Sequence, residues 1–378
     1  MEDGVVVKLK RDLIPGFGVL ALQLVISCVL VVQAATGDDQ GKEMVISANQ
    51  GSGDVSAYVV DMHRGKLTQV AGSPYHVGDF PVAVALTLNG KYAYITNQGS
   101  DSISGFQVDP SSGRLIEMPG SPFHAGKHPV WVTTDPLDRF AYVANDESNS
   151  IAVFRIDSAS GALKYQSETM TTGQYPLEMA ISPQGRYAYV VNFGSATVSA
   201  YRIDADNGAL SPIGQPQATD DHPIAVTVDT TGRYVYVANY GSVTVSGFAV
   251  NPETGALREI KGSPFTAGAK PYDVAIDVTD HFLYTVNWAS HDISAFTLDN
   301  KTGELKEVQG SPYHTPWYPY SVKVDPTDHF LYVANNGANE ISAYQINEHT
   351  GGLQEVKGSP FSSGKGPYTL VVGRVGIE

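Results

Sequence analysis

The stretch from Pro223 to Phe265 reads PIAVTVDTTGRYVYVANYGSVTVSGFAVNPETGALREIKGSPF. Residues 224–228 alternate apolar with small or polar side chains, the period of a half-buried strand. Thr231-Gly232-Arg233 makes a turn. Residues 234–239 (YVYVAN) are β-branched and aromatic and read as a second strand. Residues 245–250 give a third. Asn251-Pro252-Glu253-Thr254-Gly255 then reverses the chain, with Gly255 suited to a positive φ. Residues 257–260 give a fourth strand, and Gly262-Ser263-Pro264-Phe265 leads out.

The same unit recurs along the chain. A proline opens each copy: Pro81, Pro129, Pro176, Pro223, Pro271, Pro319 and Pro367, at steps of 48, 47, 47, 48, 48 and 48 residues. A Gly-x-Leu marker keeps the same step at Gly65, Gly113, Gly161, Gly208, Gly255, Gly303 and Gly351. No segment after residue 42 carries a helical apolar period. Four short strands in about 48 residues, repeated radially, describe an all-β, seven-bladed β-propeller with four-stranded antiparallel blades. Six units are complete. The seventh is split: residues 367–373 supply its first strand, and residues 44–72 supply the second, third and fourth. A composite blade from both chain ends thus closes the ring and removes open sheet edges. Recurring aromatics (Tyr92/Tyr94, Tyr187/Tyr189, Tyr234/Tyr236, Phe282/Tyr284) read as packing between blades. The repeated Asn97, Asn145, Asn192, Asn239, Asn287 and Asn335 read as side chains that bond turn backbone after the second strand.

Composition agrees with a turn-rich β protein: hydrophobic residues make up 42%, charged residues 17%, with 38 Gly and 22 Pro. The net charge of -15 argues against nucleic acid as a partner. Cys28 is the single cysteine and lies in the N-terminal apolar stretch, so the rest of the chain has no disulfide, thiolate metal site or cysteine nucleophile. Lys8, Lys10 and Arg11 precede an apolar run over residues 13–32, followed by Ala34 and polar Gly37-Asp38-Asp39. This is the layout of an export signal, with an uncleaved anchor or lipidation at Cys28 as alternatives. The expected organisation is a signal peptide or membrane anchor over 1–35, a linker over 36–42 and the propeller over 43–378. The propeller is expected outside the cytoplasm, periplasmic or secreted, as a monomer. It would meet a membrane only through the N-terminal segment.

Tyr142-Val143-Ala144-Asn145, Tyr236-Val237-Ala238-Asn239 and Tyr332-Val333-Ala334-Asn335 resemble the tetrapeptide of YVTN-type repeats. With the Gly-x-Leu turns and Gly-Ser-Pro-Phe linkers, the chain is similar to the seven-bladed lactonase family over roughly residues 43–378. That family includes propeller-type 6-phosphogluconolactonases and carboxymuconate-lactonizing enzymes. The resemblance implies a lactone hydrolase that needs no cofactor. The matching residues are the repeated ones, so it assigns no catalytic position.

A site is expected where the symmetry is broken. The residues before the blade-opening prolines are Phe80, His128, Tyr175, His222, Lys270, Tyr318 and Gly366. Two positions after them stand Ala83, Trp131, Glu178, Ala225, Asp273, Ser321 and Thr369. As a lactone site, His128 or His222, oriented by Glu178 or Asp273, would activate water. Lys270 would stabilise the oxyanion. Trp131, Tyr175, Tyr318 and Ser321 would contact substrate. These residues equally read as a solvated channel mouth, with Lys270 paired to Asp273. Two imidazoles and two carboxylates could also ligate a metal, but no spacing signature supports one. The ligand expected is a small-molecule lactone. The alternative is a non-catalytic exported propeller that binds a protein or glycan.

Overall fold

The computed structural model describes residues 41–171 and 173–376. The export segment read over residues 1–35 lies outside them. Seven sheets form the ring, each with four antiparallel strands from the axis outward, in chain order in all but the blade that joins the chain ends. We number the blades from Pro81 (blade 1) to Pro367 (blade 7). The inner strands pack against one another around the axis, and the inner strand of blade 7 meets that of blade 1. Closure is as the split repeat requires. The C-terminal strand, Pro367–Val375, pairs antiparallel with Lys42–Asn49, which continues to Asp54–Asp61 and Lys66–Gln69.

The two periodic markers meet at the blade interfaces. The second-strand tyrosine of one blade donates its hydroxyl to the marker glycine carbonyl of the next: Tyr94 to Gly161 (2.7 Å), Tyr236 to Gly303 (2.7 Å) and Tyr284 to Gly351 (3.1 Å). Gly255 sits at φ 77°, and a Cβ there would lie 2.4 Å from the Tyr187 ring. Glycine is therefore needed twice, for the turn and for the neighbouring blade's aromatic.

Three details go beyond or against the sequence reading. The repeated asparagines bond third-strand side chains, not chiefly turn backbone: Asn239 Nδ2 donates to Thr244 Oγ1 (3.0 Å) and Ser246 Oγ (2.9 Å). In blade 2 the second of these partners is Ala152, and the Asn145 amide has no hydrogen-bond partner among the described residues. The Ser-Pro linkers do more than connect. Ser263 Oγ accepts the Gly247 N–H at 3.0 Å, and the residues that follow pair with the third strand as a two-residue ribbon, as at Phe265–Thr266. Six sheets gain this extra ribbon. Blade 3 forms it after Gly214-Gln215-Pro216, whereas blade 2 has no such proline-bearing linker and its outer strand runs unbroken over Leu163–Met170.

Candidate functional site at the channel mouth

In every blade the residue before the proline has a left-handed backbone: φ is 57° at His128, 58° at Lys270 and 55° at Tyr318. Its carbonyl accepts the N–H of the residue after the repeated asparagine, as in Asp146 to His128, Trp288 to Lys270 and Asn336 to Tyr318. Two variable positions per blade are thereby tied together at one face. The inner strand then carries a pairing irregularity just past the proline, between Pro271 and Asp273 or Pro319 and Ser321. The residue passed over is bulged and its side chain re-aimed.

Those bulged residues wall an axial cavity of about 110 Å3. Val82, Val130, Leu177 and Ile224 of blades 1–4 form an aliphatic crescent, and Tyr272, Tyr320 and Tyr368 of blades 5–7 a phenolic one. Trp131, Glu178, Asp273 and Thr369 complete the wall with Gln98. The Tyr272 and Tyr368 hydroxyls are 2.7 Å apart, and the Tyr320 ring lies 4.3 Å from Tyr272 and 4.9 Å from Tyr368 between centroids. Burial pushes the Tyr368 phenol up to about 12 and Tyr272 well above its ordinary value. All three phenols are raised, so they act as neutral hydrogen-bond donors.

Two carboxyls stand here in different surroundings. Burial, with Asp273 next in weight, drives Glu178 well above the ordinary carboxyl range, against weaker opposition from Lys323 and the Val226 N–H. These surroundings favour the protonated acid form of Glu178 over its carboxylate. Asp273 is instead saturated with donors. Its Oδ2 accepts from Ser321 Oγ (2.8 Å), the Val322 N–H (2.9 Å) and Lys323 Nζ (2.7 Å), and its Oδ1 from the Val274 N–H (2.8 Å). Burial works against the Lys323 charge, but Asp273 and then Glu178 outweigh it and its pKa is raised.

The expected partnerships are corrected accordingly. Asp273 pairs with Lys323, not Lys270. Neither histidine is oriented by Glu178 or Asp273. His128 Nδ1 lies 2.5 Å from Asp146 Oδ1, and His222 Nδ1 lies 2.8 Å from Asp221. Asp146 is half-buried. Burial raises its pKa, opposed by the hydrogen bond from His128. Gln98, on the cavity wall, reaches His128 Nδ1 at 3.4 Å. His222 lies against Phe193, with ring centroids 4.6 Å apart, beside an exposed Asp221. Lys270 is exposed at the mouth, its ammonium 4.7 Å above the Tyr240 ring and 5.3 Å from that of Trp288. Tyr318 stacks on Trp288 at 4.8 Å, and Tyr175 is exposed. Of the expected substrate contacts, Trp131 lines the cavity, its indole N–H held by the Met179 carbonyl at 3.1 Å. Ser321 lies behind the wall, bonded to Asp273.

The sequence reading missed Tyr272, Tyr320, Tyr368, Lys323 and Asp146. The signal for Asp146 was present. The position after the repeated asparagine reads Gln50, Gln98, Asp146, Phe193, Tyr240, Trp288 and Asn336, as variable as the position before the proline.

The chain matches the family described as "Lactonase, 7-bladed beta-propeller" over overlapping segments 38–134, 75–176, 132–222, 165–260, 214–317 and 244–372. Among solved structures it is similar to a provisionally named 6-phosphogluconolactonase from Bacteroides fragilis. The TM-score is 0.77 and the identity 20%, covering 89% of this chain and 99% of that one. It is also similar to the periplasmic gluconolactonase of Pseudomonas aeruginosa, with TM-score 0.72, 18% identity and 88% and 98% covered. Hydrazine synthase from Kuenenia stuttgartiensis shares the fold more loosely, with TM-score 0.61, 20% identity and 84% and 99% covered. At such identities the structural likeness speaks for fold alone. A comparison with curated protein sequences gives no match. Repeat markers, composite closure and family match agree: the chain belongs to the seven-bladed β-propeller lactonase family.

Proposed function

We propose that this protein is an exported lactone hydrolase whose substrate ring occupies the axial cavity. One observation carries the reading: a histidine–aspartate pair, His128–Asp146, stands beside a cavity with one aliphatic and one phenolic wall. With Nδ1 held by Asp146, Nε2 of His128 is the nitrogen left to take a proton from water. The hydroxide oxygen then bonds to the lactone carbonyl carbon. The developing oxyanion accepts hydrogen bonds from the neutral phenols and the protonated Glu178. As the tetrahedral centre collapses, the ring C–O bond breaks. The proton on His128 passes to the departing ring oxygen, giving an open-chain hydroxy acid. His222, half-buried beside the exposed Asp221, is the weaker candidate for the base. Tyr175 and Tyr318 would guide substrate at the rim, and Asp273 holds Ser321 and Lys323 in place.

A lactone without a phosphate fits this cavity best. Among the cavity-wall residues there is no lysine or arginine, and Lys323 behind them is already neutralised by Asp273. A dianion there would be desolvated without compensation. The N-terminal basic and apolar segment supports export, and one similar structure is named a periplasmic enzyme.

The test is turnover by His128→Ala and Asp146→Asn. His128→Ala is expected to lower kcat by about a hundredfold or more. Asp146→Asn should lower it less, with little change in KM. Full activity in both variants would remove His128 from the mechanism. A second reading, a binding propeller without catalysis, is favoured by the exposed aromatics Trp317, Tyr175 and Phe80 around the mouth. It predicts no turnover of any lactone.

A further inference from the structure

Outside the cavity, blades 4–6 present a run of rings of which the proposed chemistry uses only Tyr318, at the rim. Trp317, 67% exposed, faces His291 nearly parallel, with centroids 6.4 Å apart and 20° between planes. His291 is fixed by accepting the Tyr318 N–H on Nδ1 at 3.1 Å. Tyr318 stacks on Trp288 at 4.8 Å, Trp288 meets Tyr240 at 6.0 Å, and Tyr240 meets the cavity's Tyr272 edge-on at 5.7 Å. In the middle of this run stands Lys270. Its ammonium is held over Tyr240 and Trp288 and contacts the Tyr240 hydroxyl at 3.4 Å. Among the described residues no carboxylate pairs with it.

We propose that this aromatic run is a binding subsite for a sugar bearing a carboxylate, with the pyranose face on the aromatics and the carboxylate on Lys270. The exposed rings of Trp317 and Tyr318 offer apolar surface to the C–H face of a sugar. The cation–π contacts preposition the ammonium while leaving donors free for an anion. A lone ammonium suits a monoanion. A phosphate dianion would want an arginine fork, and no arginine stands among the described residues named in this patch. An anion on an otherwise acidic protein (net charge -15) needs such a specific cation. The inference borrows from the proposed function only the position of the cavity. It predicts binding, not turnover, so either can fail alone.

All three tryptophans of the chain, Trp131, Trp288 and Trp317, lie on this face, so intrinsic fluorescence reports it directly. The experiment titrates the purified protein with sodium glucuronate, with its methyl ester and with glucose. Glucuronate should give a saturable change that weakens as salt rises. Affinity should drop about tenfold for the ester, for glucose and in Lys270→Met, the loss of one charge-assisted contact. Lys270→Arg should retain most of it. Melting curves confirm that both variants fold. Equal affinity for glucose and glucuronate, an unaffected Lys270→Met, or no saturable change would each overturn the proposal. These outcomes hold whether or not any lactone is hydrolysed.

Discussion

A tyrosine hydroxyl and a glycine carbonyl carry the contact between most neighbouring blades, and an exception at Tyr142 makes the contact measurable. Tyr236 donates to Gly303 at 2.7 Å, whereas the equivalent hydroxyl of Tyr142 is buried without a partner among the described residues. Tyr236→Phe should therefore cost about 1 kcal/mol in urea unfolding. Tyr142→Phe should cost little or raise stability, because it removes an unsatisfied buried group. Equal losses would show that the hydroxyl bonds do not hold the blades. Both residues sit in the same motif, so the sequence marked them as equivalent; only the packing separates them. The site was legible to a similar depth. Variation before and after the blade prolines pointed to Glu178, Asp273, His128 and Lys270. Asp273 finds Ser321 and Lys323 on the next blade, 48 and 50 residues away, and spacing alone does not reveal which carboxylate meets which cation.

At the scale of the strand, one irregularity decides what faces the axis. The sequence reading took its candidates from the residue before each proline and the residue two after it, and passed over the one between. The bulge just past the proline turns the intervening residue inward, so Tyr272, Tyr320 and Tyr368 line the cavity and Ser321 lies behind it. A bulge has no signature in the residue types of so short a strand, so the residue directly after the proline gave no sign of facing the axis. The turns at the opposite ends of the inner strands show a second device. Where blades 1, 3 and 4 have Gly90, Gly185 and Gly232 at positive φ, blades 2, 5 and 6 have Asp138, Asp280 and Asp328, also at positive φ. These carboxylates reach back to the preceding blade. Asp280 accepts from the Thr230 N–H (2.8 Å) and Thr230 Oγ1 (2.5 Å), and Asp328 from the Val278 N–H (2.7 Å). Asp280→Ala removes both of the Thr230 contacts and keeps a strained φ. It should lower stability by about 1–3 kcal/mol, read as a shift in the urea midpoint without loss of the native far-UV spectrum. An unchanged midpoint would show that these clasps carry no load.

Over the whole molecule, the ring is closed by non-covalent pairing alone, and that seam contains a buried acid. Glu43 is 1% exposed, cross-strand from Arg374, with neither carboxylate oxygen hydrogen-bonded among the described residues. Burial first and Asp325 second push its pKa up to about 8, against a smaller pull from Arg374. The folded state therefore holds a proton that the unfolded chain releases at its ordinary carboxyl value. Stability from this group is fully present in acid and is lost as pH rises toward about 8, by at most about 1.4 kcal/mol per pH unit. Asp328, raised to about 6 chiefly by burial, acts with the same sign over a lower range. Urea midpoints measured at pH 5 and pH 8 should fall for the native protein and fall less for Glu43→Gln. A variant with the same decline would clear Glu43 of the effect. The ring, its blade number and its split closure were readable from the repeat register, since each depends on local patterning. The seam's chemistry was not, because Glu43 and Asp325 are brought together only by closure. The central claim concerns the cavity at the ring's axis, and acid release from a panel of phosphorylated and unphosphorylated lactones tests it most directly. The account predicts turnover of an unphosphorylated lactone well above its spontaneous hydrolysis, lost in His128→Ala while the melting curve is unchanged. Hydrolysis of every lactone at the rate of buffer alone, or turnover undiminished in His128→Ala, would contradict it.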